Sequence, residues 1–102
     1  EMSYANLEIE VIRWGEDRKI VQNSTPAAQA QKTQEELDEL ITAIHEDDRE
    51  AMKDAYGDIL VTLIMGCACA DLDLVTCFQG AYNEIKDRKG SLNSYGLWVK
   101  EQ

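Results

Sequence analysis

The chain has 102 residues and a net charge of −10, and 44% of its residues are hydrophobic. This length suits a single small domain over residues 1–102, whose thin core favours association with further copies of the chain. The negative charge argues against binding to nucleic acid or to an anionic membrane surface, whereas a bound metal ion would still allow a polyphosphate substrate.

The three cysteines lie in apolar helical sequence, and the longest apolar run covers residues 59–65. An odd number of cysteines in such sequence indicates reduced core thiols and a cytoplasmic location. The apolar run is far too short to span a membrane. We therefore expect a protein that does not enter a membrane.

The first two helices are predicted from capping residues and apolar spacing. Ser3 is a suitable N-cap for a helix to about residue 17, and a loop is expected over residues 18–24. Thr25 followed by Pro26 predicts the start of a second helix, which runs to about His45. Its apolar stripe consists of Ala30, Thr33, Leu37, Leu40, Ile41 and Ile44.

Two further helices are predicted over residues 49–70 and 74–89, of which the first is expected to be the most buried. The second ends at Gly90, a common C-terminal stop. The tail, residues 91–102, is expected to be irregular or hairpin-like. The predicted fold is therefore an all-α, bundle-like arrangement of four main helices with a short C-terminal tail. The inner face of the fourth helix consists of Val75, Phe78, Tyr82 and Ile85.

Acidic residues occur in two clusters, one on the second helix and one on the third. Glu35, Glu36 and Glu39 lie on one flank of the second helix, and Asp54 and Asp58 are four residues apart on the third. If these helices pack antiparallel, the carboxylates meet at the edge of the core, where their repulsion favours a bound divalent cation. The pattern predicts a Mg²⁺ site that handles phosphates, although acidic runs on helices also form solvated faces.

Three segments carry a family resemblance: residues 32–40 (KTQEELDEL), 54–61 (DAYGDILV) and 81–90 (AYNEIKDRKG). Together with Trp14 in the first helix, they resemble the MazG-like family of small all-α nucleoside triphosphate pyrophosphohydrolases of bacteria and phages. The resemblance implies a cytoplasmic homodimer or homotetramer that uses Mg²⁺, with Mn²⁺ as an alternative. The implied reaction splits the α–β phosphate bond and yields a nucleoside monophosphate, or its deoxy form, and pyrophosphate.

The resemblance also assigns roles to the acidic residues. Glu36, Glu39 and Asp58 match the metal ligands of the family, and Glu35 matches the first glutamate of its motif, so these four are the candidate catalytic residues. The family has a glutamate where this chain has Ala55, and Asp54, one residue earlier, is the candidate replacement ligand. This departure keeps open a catalytically weak nucleotide-binding or regulatory protein of the same fold. A helical adaptor whose acids serve only solubility is a third hypothesis.

Five further residues are candidates for substrate binding. Lys32 lies one helical turn before Glu35, where an ammonium group could meet a phosphate, and Trp14 offers an aromatic ring to a base. Asn83, Lys86 and Arg88 near the end of the fourth helix are candidates for phosphate or base contacts. As a basic helix end, they could equally interact with the helix dipole.

Overall fold

The structure is a computed structural model that describes residues 1–101. The helices within this range are α1 (Tyr4–Asp17), α2 (Ile20–Asn23), α3 (Pro26–His45), α4 (Arg49–Cys69) and α5 (Leu74–Ile85), and the strands are β1 (Gly90–Leu92) and β2 (Trp98–Lys100). The predicted all-α class is therefore confirmed, with a hairpin tail. Gln102, the last residue of the predicted domain, lies outside the described residues.

Side-chain caps explain where the four long helices begin. Ser3, Thr25, Asp48 and Asp73 each occupy the N-cap position, and each side chain accepts a hydrogen bond from the backbone N–H three residues later. Such a cap satisfies one of the amide groups that a helix leaves free at its start. Pro26 adds a preset backbone angle at the first position of α3.

Two boundaries differ from the predictions. Residues 18–24 are not purely a loop, because the short helix α2 forms there after Lys19 takes a left-handed backbone conformation with φ of 64°. Helix α2 packs against α1 and α4, contacts that no local pattern reveals. Helix α5 ends at Ile85 rather than near Lys89, because Gly90 must pair with Lys100 in the antiparallel hairpin.

Helices α3 and α4 form an antiparallel pair that contains most of the core. Their side chains are joined by a 2.7 Å hydrogen bond between the hydroxyl groups of Thr33 and Thr62. The buried apolar residues all belong to these two helices, which agrees with the prediction that α4 is the most buried element. They are Leu40, Ala43, Ala55, Ile64 and Met65.

The chain turns sharply between α4 and α5, whose axes are bent by 104°. Asp71 takes a left-handed conformation with φ of 58° in this turn, and Asp73 then caps α5. No single helix within residues 1–101 is long and apolar enough to cross a membrane. The bent pair of α4 and α5 reaches the length and apolar composition of a membrane span only when the two helices are taken together.

We name residues 74–101 the C-terminal arm; its helix α5 contacts α1 and α4, with Val75 bonded to Glu8 and Phe78 beside Tyr4. The strands β1 and β2 pack against each other, and none of the described helices packs against them. The radius of gyration is 15.9 Å, against about 13 Å for a compact domain of this length. Much apolar surface is consequently uncovered, including Phe78, Tyr82 and Ile85 on α5 and Leu37, Ile41 and Ile44 on α3.

Candidate functional site

The acidic residues of α3 differ strongly in exposure. Glu36 is buried, with 8% of its surface exposed, whereas Glu35 and Glu39 are exposed. One carboxylate oxygen of Glu36, Oε2, is buried and accepts no hydrogen bond from residues 1–101. A buried carboxylate oxygen without a donor is costly. Glu36 is therefore the member of the cluster that most needs a positively charged partner.

Lys32 supplies the nearest positive charge. Its Nζ atom lies 3.2 Å from Oε2 of Glu35 and 3.7 Å from Oε1 of Glu36, so one ammonium group is shared between two carboxylates. These contacts raise the pKa of Lys32. The ammonium group leaves the second oxygen of Glu36 without a partner, so the charge of the cluster is only partly balanced.

Asp58 lies on the facing helix α4, close enough to Glu36 to feel its charge. Burial raises the pKa of Asp58, and the neighbouring carboxylates of Asp54 and Glu36 raise it further. The pKa of Glu36 is raised as well, first through the carboxyl group of Glu39 and then through burial. Glu36 and Asp58 therefore both resist ionisation, through burial and through neighbouring carboxylates, which indicates a site short of positive charge.

The carboxylates do not form a closed ligand shell. No group of three or more histidine, cysteine, aspartate or glutamate side chains within residues 1–101 is arranged so that it could hold a metal ion by itself. Asp54 is exposed beside Asp58, and the family's glutamate position, Ala55, is buried in the α3–α4 interface with 3% of its surface exposed. The arrangement thus provides carboxylates from two sides and leaves room for further ligands.

Three neighbouring cavities include residues of α1 in their lining. The first, of about 420 Å³, lies against α4 and is lined by Glu8, Asp54 and Asp58; we name it the Glu8 cavity. The second shares Asp58 with it and is also lined by Trp14. The third, of about 740 Å³, is lined by Trp14 and Lys32 and is named the Trp14 cavity. Val61 lines all three cavities, which we name together the groove, and Asp58 lines two of them.

The predicted substrate-binding residues fall into two groups. Trp14 and Lys32 line the same cavity, although the guanidinium group of Arg18 lies over the Trp14 ring at 4.7 Å from its centre. Asn83 lies on α5, and Lys86 and Arg88 follow it on the C-terminal arm; none of them lines either named cavity. Within one chain, the structure brings together only the first group.

Sequence reasoning missed Glu8. This glutamate is buried with 3% of its surface exposed, and its Oε2 atom accepts a 3.1 Å hydrogen bond from the backbone N–H of Val75 in α5. Its position was recognisable in principle, because Tyr4, Glu8, Val11 and Gly15 recur at helical spacing on the inward side of α1. An acidic residue within an inward-facing stripe indicates a buried carboxyl group and therefore a candidate functional residue.

The raised pKa values predict how stability changes with pH. Because Glu36 binds its proton more tightly in the folded chain than at its ordinary pKa of 4.5, the free energy of unfolding falls as the pH rises through this region, and then levels off above the raised pKa. The raised pKa of Asp58, whose ordinary value is 3.8, changes stability in the same direction. We expect Glu36→Gln to lose less stability than the wild type between about pH 4 and about pH 7.

Urea unfolding at a series of pH values measures this difference. Asp38→Asn is the matched control, since it removes one charge from the same helix at a residue whose side chain bonds, among residues 1–101, only to Gln34. The control should keep the wild-type pH dependence. Equal pH dependence in Glu36→Gln and the wild type would show that Glu36 ionises normally.

Comparisons with known proteins identify the family of the chain. The sequence profile of the MazG nucleotide pyrophosphohydrolase domain matches residues 24–92, which include α3, α4 and α5. The chain is also 36% identical over 53 residues to an uncharacterized 18.2 kDa protein from the rep–hol intergenic region of Haemophilus phage HP1 (strain HP1c1). That match covers 52% of this chain and 32% of the phage protein, about a third of its length. No solved structure is significantly similar. Since the profile covers most of the sequence, the chain belongs to the MazG nucleotide pyrophosphohydrolase family.

Proposed function

We propose that the chain is a Mg²⁺-dependent nucleoside triphosphate pyrophosphohydrolase that splits the α–β phosphate bond and releases a nucleoside monophosphate, or its deoxy form, and pyrophosphate. The observation that carries this proposal is the pair of Glu36 and Asp58 on the facing helices α3 and α4, with two raised carboxyl pKa values, Glu39 beside Glu36, and one buried oxygen without a donor. Such a group favours binding of a divalent cation.

The residues fit a hard cation with oxygen ligands. Glu36, Glu39 and Asp58 would hold it, with Asp54 as a further ligand at the exposed edge. Mg²⁺ commonly uses one or two carboxylates and fills its remaining positions with water and substrate phosphates, which suits an incomplete ligand shell; Mn²⁺ accepts similar ligands. When bound, the ion would neutralise phosphate charge and acidify water.

Side chains of the protein would bind the substrate and accept the proton of the attacking water. Lys32 lies beside Glu35 and Glu36 and lines the Trp14 cavity, so its ammonium group can meet a phosphate of a substrate in the groove. Glu35 is exposed and is proposed to accept the proton of the attacking water as a general base. Trp14 lines the same cavity as Lys32 and is proposed as a further substrate contact. Lys32 would also orient the triphosphate relative to Glu35.

Pyrophosphate release from a panel of nucleoside and deoxynucleoside triphosphates, with Mg²⁺ or with EDTA, tests the proposal. Release that needs Mg²⁺ is the expected result. The alternative is a catalytically weak nucleotide-binding or regulatory protein, which the buried Ala55 favours because no carboxylate occupies that position. Nucleotide binding by calorimetry without any turnover would replace the enzyme proposal with this alternative.

We further propose a cytoplasmic homodimer or homotetramer in which the C-terminal arm packs on another copy. The arm is exposed on the monomer, and Phe78, Tyr82 and Ile85 on α5 are each more than half exposed. A second copy could cover this apolar surface, as small domains often require. In such an assembly, Asn83, Lys86 and Arg88 would contact phosphates at the site of the neighbouring copy.

Phe78→Glu is expected to shift the protein from dimer or tetramer to monomer, because it places a charge in the proposed interface. Light scattering coupled to size-exclusion chromatography measures the mass. The control is Lys53→Glu, which reverses the charge of an exposed residue of α4 that pairs with Glu50. A monomeric wild type would contradict the assembly, and an unchanged mass in Phe78→Glu would place the interface elsewhere.

A further inference from the structure

The Glu8 cavity has apolar walls and a carboxylate. Its apolar lining comes from both helices: Leu7, Val11, Leu60, Val61 and Ile64. Its volume of about 420 Å³ falls within the range of small-molecule sites. Gly57 also lines it, and a Cβ atom at that residue would meet no atom within 4 Å. The missing side chain at Gly57 is therefore not explained by close helix packing within the chain, and it keeps the cavity open.

The carboxylate of Glu8 is only half satisfied. Its Oε2 atom accepts the hydrogen bond from Val75, whereas its Oε1 atom is buried and accepts none from residues 1–101. The hydroxyl group of Tyr4 lies near: burial raises the pKa of Tyr4, and both the charge of the Glu8 carboxylate and its hydrogen-bonding proximity raise it further. Because a buried charged oxygen without a donor costs free energy, this wall of the cavity favours a ligand that brings an N–H group.

The opposite end of the cavity constrains what that ligand can be. Asp54 and Asp58, two of the proposed metal ligands, line the same cavity as Glu8. A molecule seated between them would place an apolar ring with an N–H edge against Glu8 and its phosphates toward Asp58. A nucleotide whose base carries an amino group has this layout.

We propose that the Glu8 cavity binds the base of the substrate and that Oε1 of Glu8 accepts a hydrogen bond from an exocyclic amino group, so that cytosine, adenine or guanine is preferred to uracil or thymine. This inference rests on the proposed function for the position of the phosphates. Glu8 and Tyr4 precede residue 24, so they lie outside the part of the chain that matches the family profile.

Cytosine and uracil provide the sharpest comparison, because the amino group at C4 of cytosine is replaced by a carbonyl in uracil. A carboxylate can only accept hydrogen bonds, so it attracts the amino group and repels the carbonyl. A hydrogen bond to a charged group contributes about 1.5–3 kcal/mol. We therefore expect cytidine to bind about ten- to hundredfold more tightly than uridine.

Calorimetric titration with cytidine and with uridine in EDTA tests this without metal or turnover. Glu8→Gln keeps an oxygen for the N–H of Val75 and places an amide N–H₂ in the cavity, so we expect the preference to disappear or reverse. Equal binding of the two nucleosides to the wild type, or no binding of either, would overturn the inference. So would an unchanged preference in Glu8→Gln, with the fold checked by circular dichroism. Pyrophosphate release is measured separately, so failure of the enzyme proposal remains distinguishable.

A second variant tests whether the base binds in the Glu8 cavity. Gly57→Leu fills the Glu8 cavity from α4, where the glycine has free space and leucine is a better helix former. Gly80→Leu is the matched control on α5, since Gly80 also has no atom near its Cβ position and does not line the cavity. We expect at least about tenfold weaker cytidine binding in Gly57→Leu only. Cytidine binding that is unchanged in Gly57→Leu would contradict this position. If cytidine then also quenched the fluorescence of Trp14, measured in a Trp98→Phe background, the base would bind in the Trp14 cavity instead.

Discussion

Replacing Glu36 with glutamine is expected to lower Mg²⁺-dependent pyrophosphate release by about 10²- to 10³-fold, because the variant removes a group that would hold charge in the transition state. Glu36 is the buried carboxylate of the cluster, and its Oε2 atom has no other donor among residues 1–101. The exposed Glu35 and Glu39 cannot move into its position on the same helix face.

The loss should not come from unfolding. Glutamine has nearly the shape of glutamate, and a neutral group at this position no longer repels Glu39, whose carboxyl group raises the pKa of Glu36. The metal-free variant should therefore be at least as stable as the wild type near neutral pH. Initial rates with saturating Mg²⁺ measure the effect, and Asp38→Asn serves again as the control. A variant with the wild-type rate would remove Glu36 from the proposed mechanism.

Restoring the family's glutamate should have the largest effect on stability. Ala55 is 3% exposed between α3 and α4, so Ala55→Glu must force a longer, charged side chain into the packed interface. We expect a loss of about 3 kcal/mol or more in the free energy of unfolding without metal, since burying an unpaired charge and overpacking a core both destabilise a fold. Thermal unfolding in EDTA measures this loss.

Mg²⁺ should recover part of the loss in Ala55→Glu, because the new carboxylate lies beside Asp54 and one helical turn before Asp58, within reach of the proposed ion. The stabilisation by a ligand grows with its concentration relative to its dissociation constant. Ala55→Gln is the matched control, equal in size but neutral, and we expect it to respond to Mg²⁺ no more than the wild type. If Mg²⁺ stabilises both variants equally, the introduced carboxylate does not reach the ion.

Much of the fold could be predicted from local signals. Ser3, Thr25 and Pro26 define the starts of α1 and α3, since capping and proline placement depend only on neighbouring residues. The burial predicted from the apolar stripes was less accurate, because periodicity identifies the apolar face of a helix but not the element that covers it. Leu37 and Ile41 belong to the predicted stripe of α3 yet remain exposed in the monomer, while Ala43 is buried.

Some features of the candidate site could likewise be predicted from local spacing, and others could not. Spacing along one helix placed Glu35 and Glu36 near Lys32, and the structure confirms those contacts. The depth of Glu36 and the burial of Ala55 depend on how α3 meets α4, which no spacing rule determines. Glu8 was missed for a related reason, since its hydrogen-bond partner Val75 is 67 residues away.

That distant hydrogen bond also bears on the order in which the chain folds. The N-terminal amides of α5 are satisfied by Asp73 locally and by Glu8 only after α1 is in place. The α3–α4 pair closes through a short turn and needs no such partner, so we expect it to form early, as local contacts generally do. We expect docking of α5 to follow the rate-limiting step, so substitutions at Glu8 that remove the acceptor of this bond should speed unfolding more than they slow folding.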